Sequence, residues 1–211
     1  MSDEQRPARL AVLVSGTGTN LAALLDAIDD DPDFGAEVVV VGTDRPGAGG
    51  LEHARAARIA TVTVAMADHP DRRTWEDHLL AGLAEHAPDV VVLAGFMRLL
   101  SGAFLARWPD RVINTHPSLL PAFRGADAVG QALRHGVKVT GSTVHLVDEE
   151  MDHGPIIAQR AVEVHDGDTE VSLHERIKAV EHELLPHGVR LLSRGELAVD
   201  GRHVRALEAH T

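Results

Sequence analysis

The sequence has no cysteine, and aromatic residues make up only 3% of its 211 residues. Without cysteine the chain can form no disulfide, no thiolate nucleophile and no cysteine-ligated zinc site. Because aromatic side chains are scarce, the core must consist mainly of Val, Leu, Ile and Ala. The apolar fraction of 44% is ordinary for a globular protein, and the valine-rich runs favour a parallel sheet covered on both faces.

Positive charge is also in short supply, since 20 Lys and Arg face 32 Asp and Glu and leave a formal net charge of -12. This balance argues against a nucleic-acid surface, which must neutralise phosphates with Lys and Arg, but it leaves room for one small basic pocket. No apolar run approaches the ~18–20 residues that span a bilayer, and segment 1–7 lacks the apolar core of a signal peptide. We therefore expect a soluble, cytoplasmic protein with no membrane or nucleic-acid partner.

Apolar runs alternate with glycine-containing turns and amphipathic segments, which is the pattern of strands connected by helices. The runs predict strands at residues 10–14, 37–43, 59–64, 89–95 and 111–113. The amphipathic segments predict intervening helices at residues 21–28, 51–57 and 71–86. This alternation of strand and helix indicates a parallel sheet with helices packed on it.

The C-terminal half follows a different pattern. Two strands, 138–147 and 156–164, are separated by an acidic loop rather than a crossover helix, so we expect them to be antiparallel. A helix at 128–135 should end at Gly136, and a long helix covers 173–192. We therefore predict an α/β fold with a Rossmann-like, mostly parallel sheet, an antiparallel strand pair toward the C-terminal half, and helices on both faces. We expect one domain over 1–211, with halves at about 9–110 and 111–195 and a short hairpin or tail at 196–211.

A glycine turn, Ser15–Asn20, joins the first strand to the first helix, which Thr19 or Asn20 could cap. A helix N-terminus behind such a turn offers free N–H groups to an anion. The dinucleotide fingerprint lacks its third glycine, because Leu21 stands in that place. Two interpretations stay open: a phosphate-binding turn, or a tight connection that needs small residues. Asp44, which follows the second strand, could bind a ribose, or it could simply be solvated.

The segment Asn114–Pro121 contains the most informative residues. Pro117 ends a short strand directly after His116, which places the histidine at the carboxyl end of a strand, where ligands bind in open α/β sheets. Asn114 and His116 are two residues apart on an extended segment, so both can point the same way and donate to a developing oxyanion. The acidic loop supplies four carboxylates that could orient the imidazole, Asp148, Glu149, Glu150 and Asp152, of which Asp152 stands where a turn could aim it inward. The alternative is a turn with a capping asparagine and a satisfied histidine.

Other catalytic patterns are poorly represented. The chain has 14 histidines, but the metalloprotease pattern His-Glu-x-x-His does not occur, and His182 and His187 are five residues apart with a proline between them. The Gly-x-Ser-x-Gly pattern of serine hydrolases is absent as well. We therefore expect neither a metal site nor a nucleophilic serine.

Four segments occur in order: Ser15–Asn20, Leu93–Arg98, Asn114–Pro121, and a stretch from Gly141 to Pro155. Together they resemble the phosphoribosylglycinamide formyltransferase family, whose members are folate-dependent enzymes of purine synthesis. The resemblance runs from about residue 10 to residue 195. The third segment is shared by the wider formyltransferase group, and the glycine turn selects within it. The chain departs from the pattern at Thr17, where the family commonly has Asn, and at 127–129, where it often has His.

The resemblance implies formyl transfer from the co-substrate 10-formyltetrahydrofolate to the amine of glycinamide ribonucleotide. Matched residue by residue, it implies Asn114, His116 and Asp152 as the catalytic groups, with Glu181 beside the amine or ribose of the substrate. The implied phosphate-binding residues are Gly18, Thr19 and Asn20. The implied folate-binding residues are Arg72, Phe96, Met97, Arg98, Leu99, Leu100, Val147, Asp148, Glu149, Glu150 and Met151. The partners would be these two small molecules, with no metal, and the protein would be a monomer or a homodimer.

Three other functions compete with this interpretation. A formyltetrahydrofolate deformylase would use the same catalytic groups on water, but it resembles this domain with an added N-terminal module. An initiator-tRNA formyltransferase would need an RNA-binding C-terminal domain and positive charge. A dehydrogenase, or a non-catalytic nucleotide-binding module, fits poorly with the missing third glycine and with the Asn114-x-His116 pair. We also expect the loop 147–155 to order when folate binds.

Overall fold

The computed structural model describes residues 6–207, so segment 1–5 and the end of the predicted tail, 208–211, lie outside the described residues. Seven strands form one sheet in the order β3-β2-β1-β4-β5-β6-β7. These strands are β1 (Ala8–Val14), β2 (Ala36–Thr43), β3 (Ala60–Thr63), β4 (Val90–Leu93), β5 (Val112–His116), β6 (Val139–Leu146) and β7 (Ile156–Glu163). The first five strands are parallel, whereas β6 runs antiparallel to both β5 and β7. The predicted α/β fold with its antiparallel strands is therefore confirmed.

Between residues 6 and 207, six α-helices connect and cover the strands, and one short 3₁₀ helix, Met66–Asp68, follows β3. The α-helices are α1 (Thr19–Asp30), α2 (Gly50–Ala56), α3 (Arg72–Ala84), α4 (Gly102–Leu105), α5 (Ala128–His135) and α6 (Glu170–Ser193). A separate hairpin follows α6 and consists of β8 (Leu197–Asp200) and β9 (His203–Ala206). None of the helices between residues 6 and 207 combines the length and the apolar character needed to cross a bilayer.

The alternation of side chains along β1 explains why the sheet is covered on both faces. Leu10, Val12 and Val14 belong to a core cluster with apolar residues of α1 and α6. Ala11 and Leu13 point the opposite way, into a second cluster with residues of α3 and the segment around α4. Both faces of a buried parallel strand are thus apolar, as its continuous hydrophobic run predicts.

From β1 the chain adds β2 and β3 toward one edge of the sheet, and from β4 it adds the later strands toward the other edge. The connections that leave β1 and β4 therefore diverge and open a crevice between them. The glycine turn after β1 lies on one side of this point, and the segment after β4 lies on the other. The backbone N–H of Ser15 donates to the carbonyl oxygen of Gly95 at 3.1 Å, which joins the two connections at their start.

Several local predictions can be compared with the structure. Gly136 ends α5 in a left-handed backbone conformation with φ of 70°, as predicted. The prediction that Thr19 or Asn20 caps α1 is wrong, because the N-cap is Gly18 and no side chain caps the helix. The last helix begins at Glu170 rather than at 173, because Thr169 and Ser172 form a capping box there.

Candidate active site

The strand β5 places the central side chains of the site. Asn114 and His116 lie two residues apart on this strand, and both line a cavity of about 750 Å³ at its carboxyl end. His116 is only 5% exposed, although it borders the cavity. The strand ends at His116 because Pro117 cannot continue it.

His116 contacts a carboxylate through one ring nitrogen and a carbonyl through the other. Its Nδ1 lies 3.4 Å from Asp152 Oδ2, and its Nε2 lies 2.8 Å from the carbonyl oxygen of Phe123. Because a carbonyl oxygen only accepts hydrogen bonds, Nε2 must carry a proton in this arrangement. A second proton at Nδ1 would make the ring cationic and pair it with Asp152.

The backbone holds Asp152 in an uncommon conformation. Its φ of 48° lies in the left-handed region, which non-glycine residues rarely adopt. The carboxylate Oδ2 accepts the backbone N–H of Gly125 at 2.8 Å, so the loop that follows Pro121 helps to orient it. Asp152 in the acidic loop is far in sequence from Asn114 and His116, which share the proline-bounded segment, yet all three residues border one cavity.

His145 is a buried neighbour of Asn114 to which the sequence analysis gave no role. The two residues are paired across β5 and β6, and His145 Nε2 lies 3.2 Å from Asn114 Nδ2. His145 Nδ1 lies 2.7 Å from the carbonyl oxygen of Leu146, so Nδ1 is the donor and Nε2 is the acceptor. Burial lowers the pKa of His145, which favours this neutral form. In the sequence, the signal for such a role was a histidine within the strand that became β6, whose other positions are mostly buried.

The glycine turn lines the other end of the cavity with Gly18, Thr19 and Asn20. Gly18 has φ of 80°, and a Cβ atom added there would lie 2.4 Å from Gly50 Cα. Only glycine therefore allows the turn to pack against the start of α2. The turn leaves the N-terminus of α1 open toward the cavity, where its free N–H groups can meet an anion.

Glu181 of α6 lies close to this turn and is 4% exposed. Its Oε2 accepts from Asn20 Nδ2 at 3.3 Å, and its Oε1 accepts from Thr115 Oγ1 at 3.5 Å. Burial raises the pKa of Glu181, because a carboxylate loses hydration there, while the two hydrogen bonds act in the opposite direction.

The cavity continues into an apolar slot, which we define as residues 96–100 and 147–151. Met97, Leu99 and Met151 are 60%, 49% and 45% exposed at its rim, which is unusual for large apolar side chains. Phe96 is buried and stacks on Trp75 with the ring centroids 6.4 Å apart. Arg72 does not line the cavity; its Nη2 donates to the carbonyl oxygen of Leu99 at 2.5 Å.

Asp44 does not have the free carboxylate that a ribose-binding residue needs. Its side chain is fully buried, accepts the Ser15 hydroxyl at 2.6 Å and pairs with Arg98 Nε at 2.7 Å. It does not line the cavity. The ribose interpretation is therefore wrong, and so is the alternative of a solvated residue.

Comparison with known proteins decides the family. The model of the formyl transferase family matches residues 8–189. A phosphoribosylglycinamide formyltransferase of Mycobacterium tuberculosis is 52% identical over 196 residues, which are 93% of this chain and 90% of that protein. The chain belongs to the phosphoribosylglycinamide formyltransferase family.

Two further members of this family support the assignment. The phosphoribosylglycinamide formyltransferase of Bacillus subtilis is 39% identical over 194 residues, covering 90% of this chain and 99% of that protein. The crystal structure of glycinamide ribonucleotide transformylase 1 from Symbiobacterium toebii superposes with a TM-score of 0.93 at 46% identity, over 96% of this chain and 95% of that one. The formyltransferase family predicted from the sequence is thus confirmed.

In this formyltransferase, α6 contributes more to the cavity than the sequence analysis assigned to it. His174 and Lys178 line the cavity together with Glu181. Their spacings of four and three residues place them on one face of the helix, which was the available signal. Burial lowers the pKa of His174, and Lys178 acts in the same direction. Between residues 6 and 207, no cluster of three or more His, Asp or Glu side chains has the geometry of a metal site.

Proposed function

We propose that this chain transfers the formyl group of 10-formyltetrahydrofolate to the amine of glycinamide ribonucleotide in purine biosynthesis. The observation that carries this proposal is the shape of one cavity. This one cavity is lined by Asn114, His116 and Asp152, by the turn at the N-terminus of α1 and by the apolar slot. Such an arrangement can hold an anionic substrate and a flat apolar co-substrate with their reactive groups between them.

The ribonucleotide end is formed by Gly18, Thr19 and Asn20. The N–H groups at the start of α1 and the positive end of the helix dipole suit a phosphate. Glu181 lies next to Asn20 and can accept hydrogen bonds from the ribose or from the amine. Lys178 adds a positive charge to this side of the cavity, which otherwise carries acidic groups.

The apolar slot suits the folate. Phe96, Leu99 and Leu100 provide apolar contacts for a flat ring, and the exposed Met97 and Met151 can cover it. Backbone N–H and C=O groups of residues 147–151 can form hydrogen bonds with the polar edge of the pterin. Such bonds fix the orientation of a heterocycle without the help of charged side chains. Arg72 donates to the carbonyl oxygen of Leu99 in the slot, and its guanidinium can meet the acidic glutamate tail there.

The reaction requires an oxyanion to be stabilised and a proton to be moved. The substrate amine attacks the formyl carbon, a C–N bond forms, and the carbonyl oxygen becomes negative. Asn114 donates to that oxygen, and the positive charge of protonated His116, whose two N–H groups face Phe123 and Asp152, stabilises the negative charge on it. Asp152 stabilises the imidazolium and assists the transfer of a proton from the amine to N10 of the folate, directly or through water. The C–N10 bond then breaks, and neither a covalent enzyme intermediate nor a metal ion is needed.

A turnover assay tests the proposal directly. Purified protein is mixed with 10-formyltetrahydrofolate and glycinamide ribonucleotide, and the absorbance change of the folate is followed. We expect folate product to form only when the ribonucleotide is present. Equal release of the folate in a water-only control would instead identify a deformylase. Stabilisation by NAD, without any thermal shift from the ribonucleotide, would favour a dehydrogenase.

A further inference from the structure

Asp44 is a buried acidic residue that the proposed mechanism does not use. It directly follows β2, and its side chain is fully shielded from solvent. Its two carboxylate oxygens have different partners: Oδ1 accepts the Ser15 hydroxyl, and Oδ2 accepts Arg98 Nε, with Arg45 Nε a second, more distant cation 3.9 Å from Oδ2. Ser15 begins the glycine turn, whereas Arg98 belongs to the apolar slot. One carboxylate therefore contacts both of the segments that bound the cavity.

The Ser15 hydroxyl extends this connection. While it donates to Asp44, it accepts the backbone N–H of Met97 at 2.9 Å. The hydroxyl thus donates its single proton to Asp44 and accepts the N–H of Met97 through one of its lone pairs. Ser15 is 2% exposed, so water cannot easily replace these bonds. The turn and the slot are held together by side-chain hydrogen bonds in addition to the backbone bond between Ser15 and Gly95.

A buried carboxylate is a costly way to connect two loops. Removing the charge from water is unfavourable, and the Arg98 side chain, which is 36% exposed, only partly compensates it. Apolar packing would stabilise the same connection at least as well. The carboxylate instead provides directional, charge-assisted hydrogen bonds, which fix the positions of Ser15 and Arg98.

We propose that Asp44 is a positioning residue that fixes the turn Ser15–Asn20 relative to the apolar slot. A ligand bound at the turn therefore favours binding of a second ligand in the slot, and a ligand in the slot favours binding at the turn. The inference rests on the proposed function, which assigns the ribonucleotide to the turn and the folate to the slot. Because Ser15 and Arg98 already share the carboxylate of Asp44, a ligand that restrains one segment also restrains the other, which then loses less conformational freedom when its own ligand binds. Because coupling between two sites is reciprocal, it can be measured from either ligand.

The experiment measures coupling with a pair of ligands that cannot react, tetrahydrofolate and glycinamide ribonucleotide, since neither carries a formyl group. For the wild-type protein, we expect saturating ribonucleotide to lower the Kd of tetrahydrofolate at least fivefold. In Asp44→Asn, which keeps the shape but removes the charge, this factor should fall below twofold. In turnover, the KM for the formyl donor should rise by a larger factor than kcat falls.

Asp89→Asn is the matched control. Asp89 also pairs with an arginine, Arg6, and accepts a backbone N–H, that of Arg9, but it lies at the amino end of β4. Because the side chains of Asp89 and Arg6 are 34% and 64% exposed, this variant should lose less stability than Asp44→Asn, and it should keep the wild-type coupling. Ser15→Ala removes the hydroxyl from the same network and should lose the coupling as Asp44→Asn does. If Asp44→Asn does not fold, the coupling measured in Ser15→Ala tests the proposal.

The outcomes separate the two proposals. A wild-type protein that binds neither ligand would contradict the proposed function itself. A wild-type protein that binds both ligands without coupling would overturn only the role of Asp44. Full coupling in both Asp44→Asn and Ser15→Ala, or equal loss in Asp89→Asn, would overturn it as well.

Discussion

The side-chain amide of Asn114 is held by the imidazole of His145, with Nδ2 and Nε2 3.2 Å apart. Since His145 Nδ1 donates to the carbonyl oxygen of Leu146, its Nε2 can only accept, and the amide nitrogen of Asn114 must face it. The amide nitrogen has two protons, so one remains for the cavity. A buried neutral histidine thus sets which end of Asn114 can donate to an oxyanion.

This relationship predicts different effects for two substitutions of His145. His145→Gln places an amide oxygen near the position of Nε2, so it should still accept from Asn114 and keep kcat within about tenfold of wild type. His145→Leu fills similar space without an acceptor, and kcat should fall by roughly 100-fold, as it does when an oxyanion donor is lost. Steady-state kinetics would check this. Equal activities in the two variants would mean that Asn114 does not depend on His145 for its orientation.

Substitutions at the His116–Asp152 pair test the proposed chemistry. His116→Ala removes the positive charge that stabilises the oxyanion, and Asp152→Asn removes the charge that stabilises the imidazolium. Each should lower kcat by roughly 10³-fold. Wild-type turnover in either variant would contradict the mechanism.

A matched control for these variants is His69→Ala. His69 bonds to the carbonyl oxygen of Ala65 at 2.9 Å and does not line the cavity. Its variant should keep wild-type kcat. Circular dichroism and thermal unfolding of all three proteins would show whether the fold is intact.

The burial of the Glu181 carboxyl group should make the stability of the protein depend on pH. Burial raises the pKa of this group in the folded state, so its contribution to stability is fully present below the unfolded-state pKa and is lost as the pH rises through the folded-state value. Glu181→Gln removes this dependence. The Tm of the variant minus that of wild type should therefore be more positive at pH 8 than at pH 5, as measured by calorimetry.

The same variant should bind the ribonucleotide less tightly, since a neutral amide replaces a charged acceptor. The KM for glycinamide ribonucleotide should rise roughly tenfold or more. In the calorimetric experiment, a Tm difference that does not change between pH 5 and pH 8 would mean that burial does not disfavour the ionised form of Glu181.

Gly18 and Gly16 form a matched pair for testing the glycine turn. Gly18→Ala must accommodate φ of 80° and a Cβ atom 2.4 Å from Gly50 Cα, which should cost about 1–3 kcal/mol from the backbone strain alone. A Cβ atom at Gly16 meets nothing within 4 Å, so Gly16→Ala should change stability by less than about 0.5 kcal/mol. Urea unfolding would measure both. Similar losses in the two variants would contradict a special role for Gly18.

The order of elements, and the position of Asn114 and His116 near a strand end, could be predicted from local patterns. Alternating apolar runs and turns gave the strands and helices, and Pro117 located His116 at the end of β5. The cap of α1 was predicted wrongly, because Gly18 in a left-handed conformation ends the turn and frees Asn20 to contact Glu181. That contact joins residues 161 positions apart, and no local pattern reports it.

Asp44 and His145 show why the remaining errors arose. Strand periodicity tells which side chains share a face, but not which loop or strand lies across from them. Asp44 was predicted to be a ribose ligand or solvated, because its position after β2 fits both, yet the segment after β4 brings Arg98 onto it. His145 gained its partner only when β6 paired antiparallel with β5.

By itself, the sequence determined the chemistry available at the site: an amide and an imidazole at a strand end, a glycine turn before a helix, and an acidic loop. These depend on backbone preferences and side-chain types, which act over a few residues. Only the tertiary structure decided which groups meet, because the strand order and the loop conformations set distances between distant residues. His116 and Asp152 face each other, and Asp44 joins Ser15 to Arg98, for that reason.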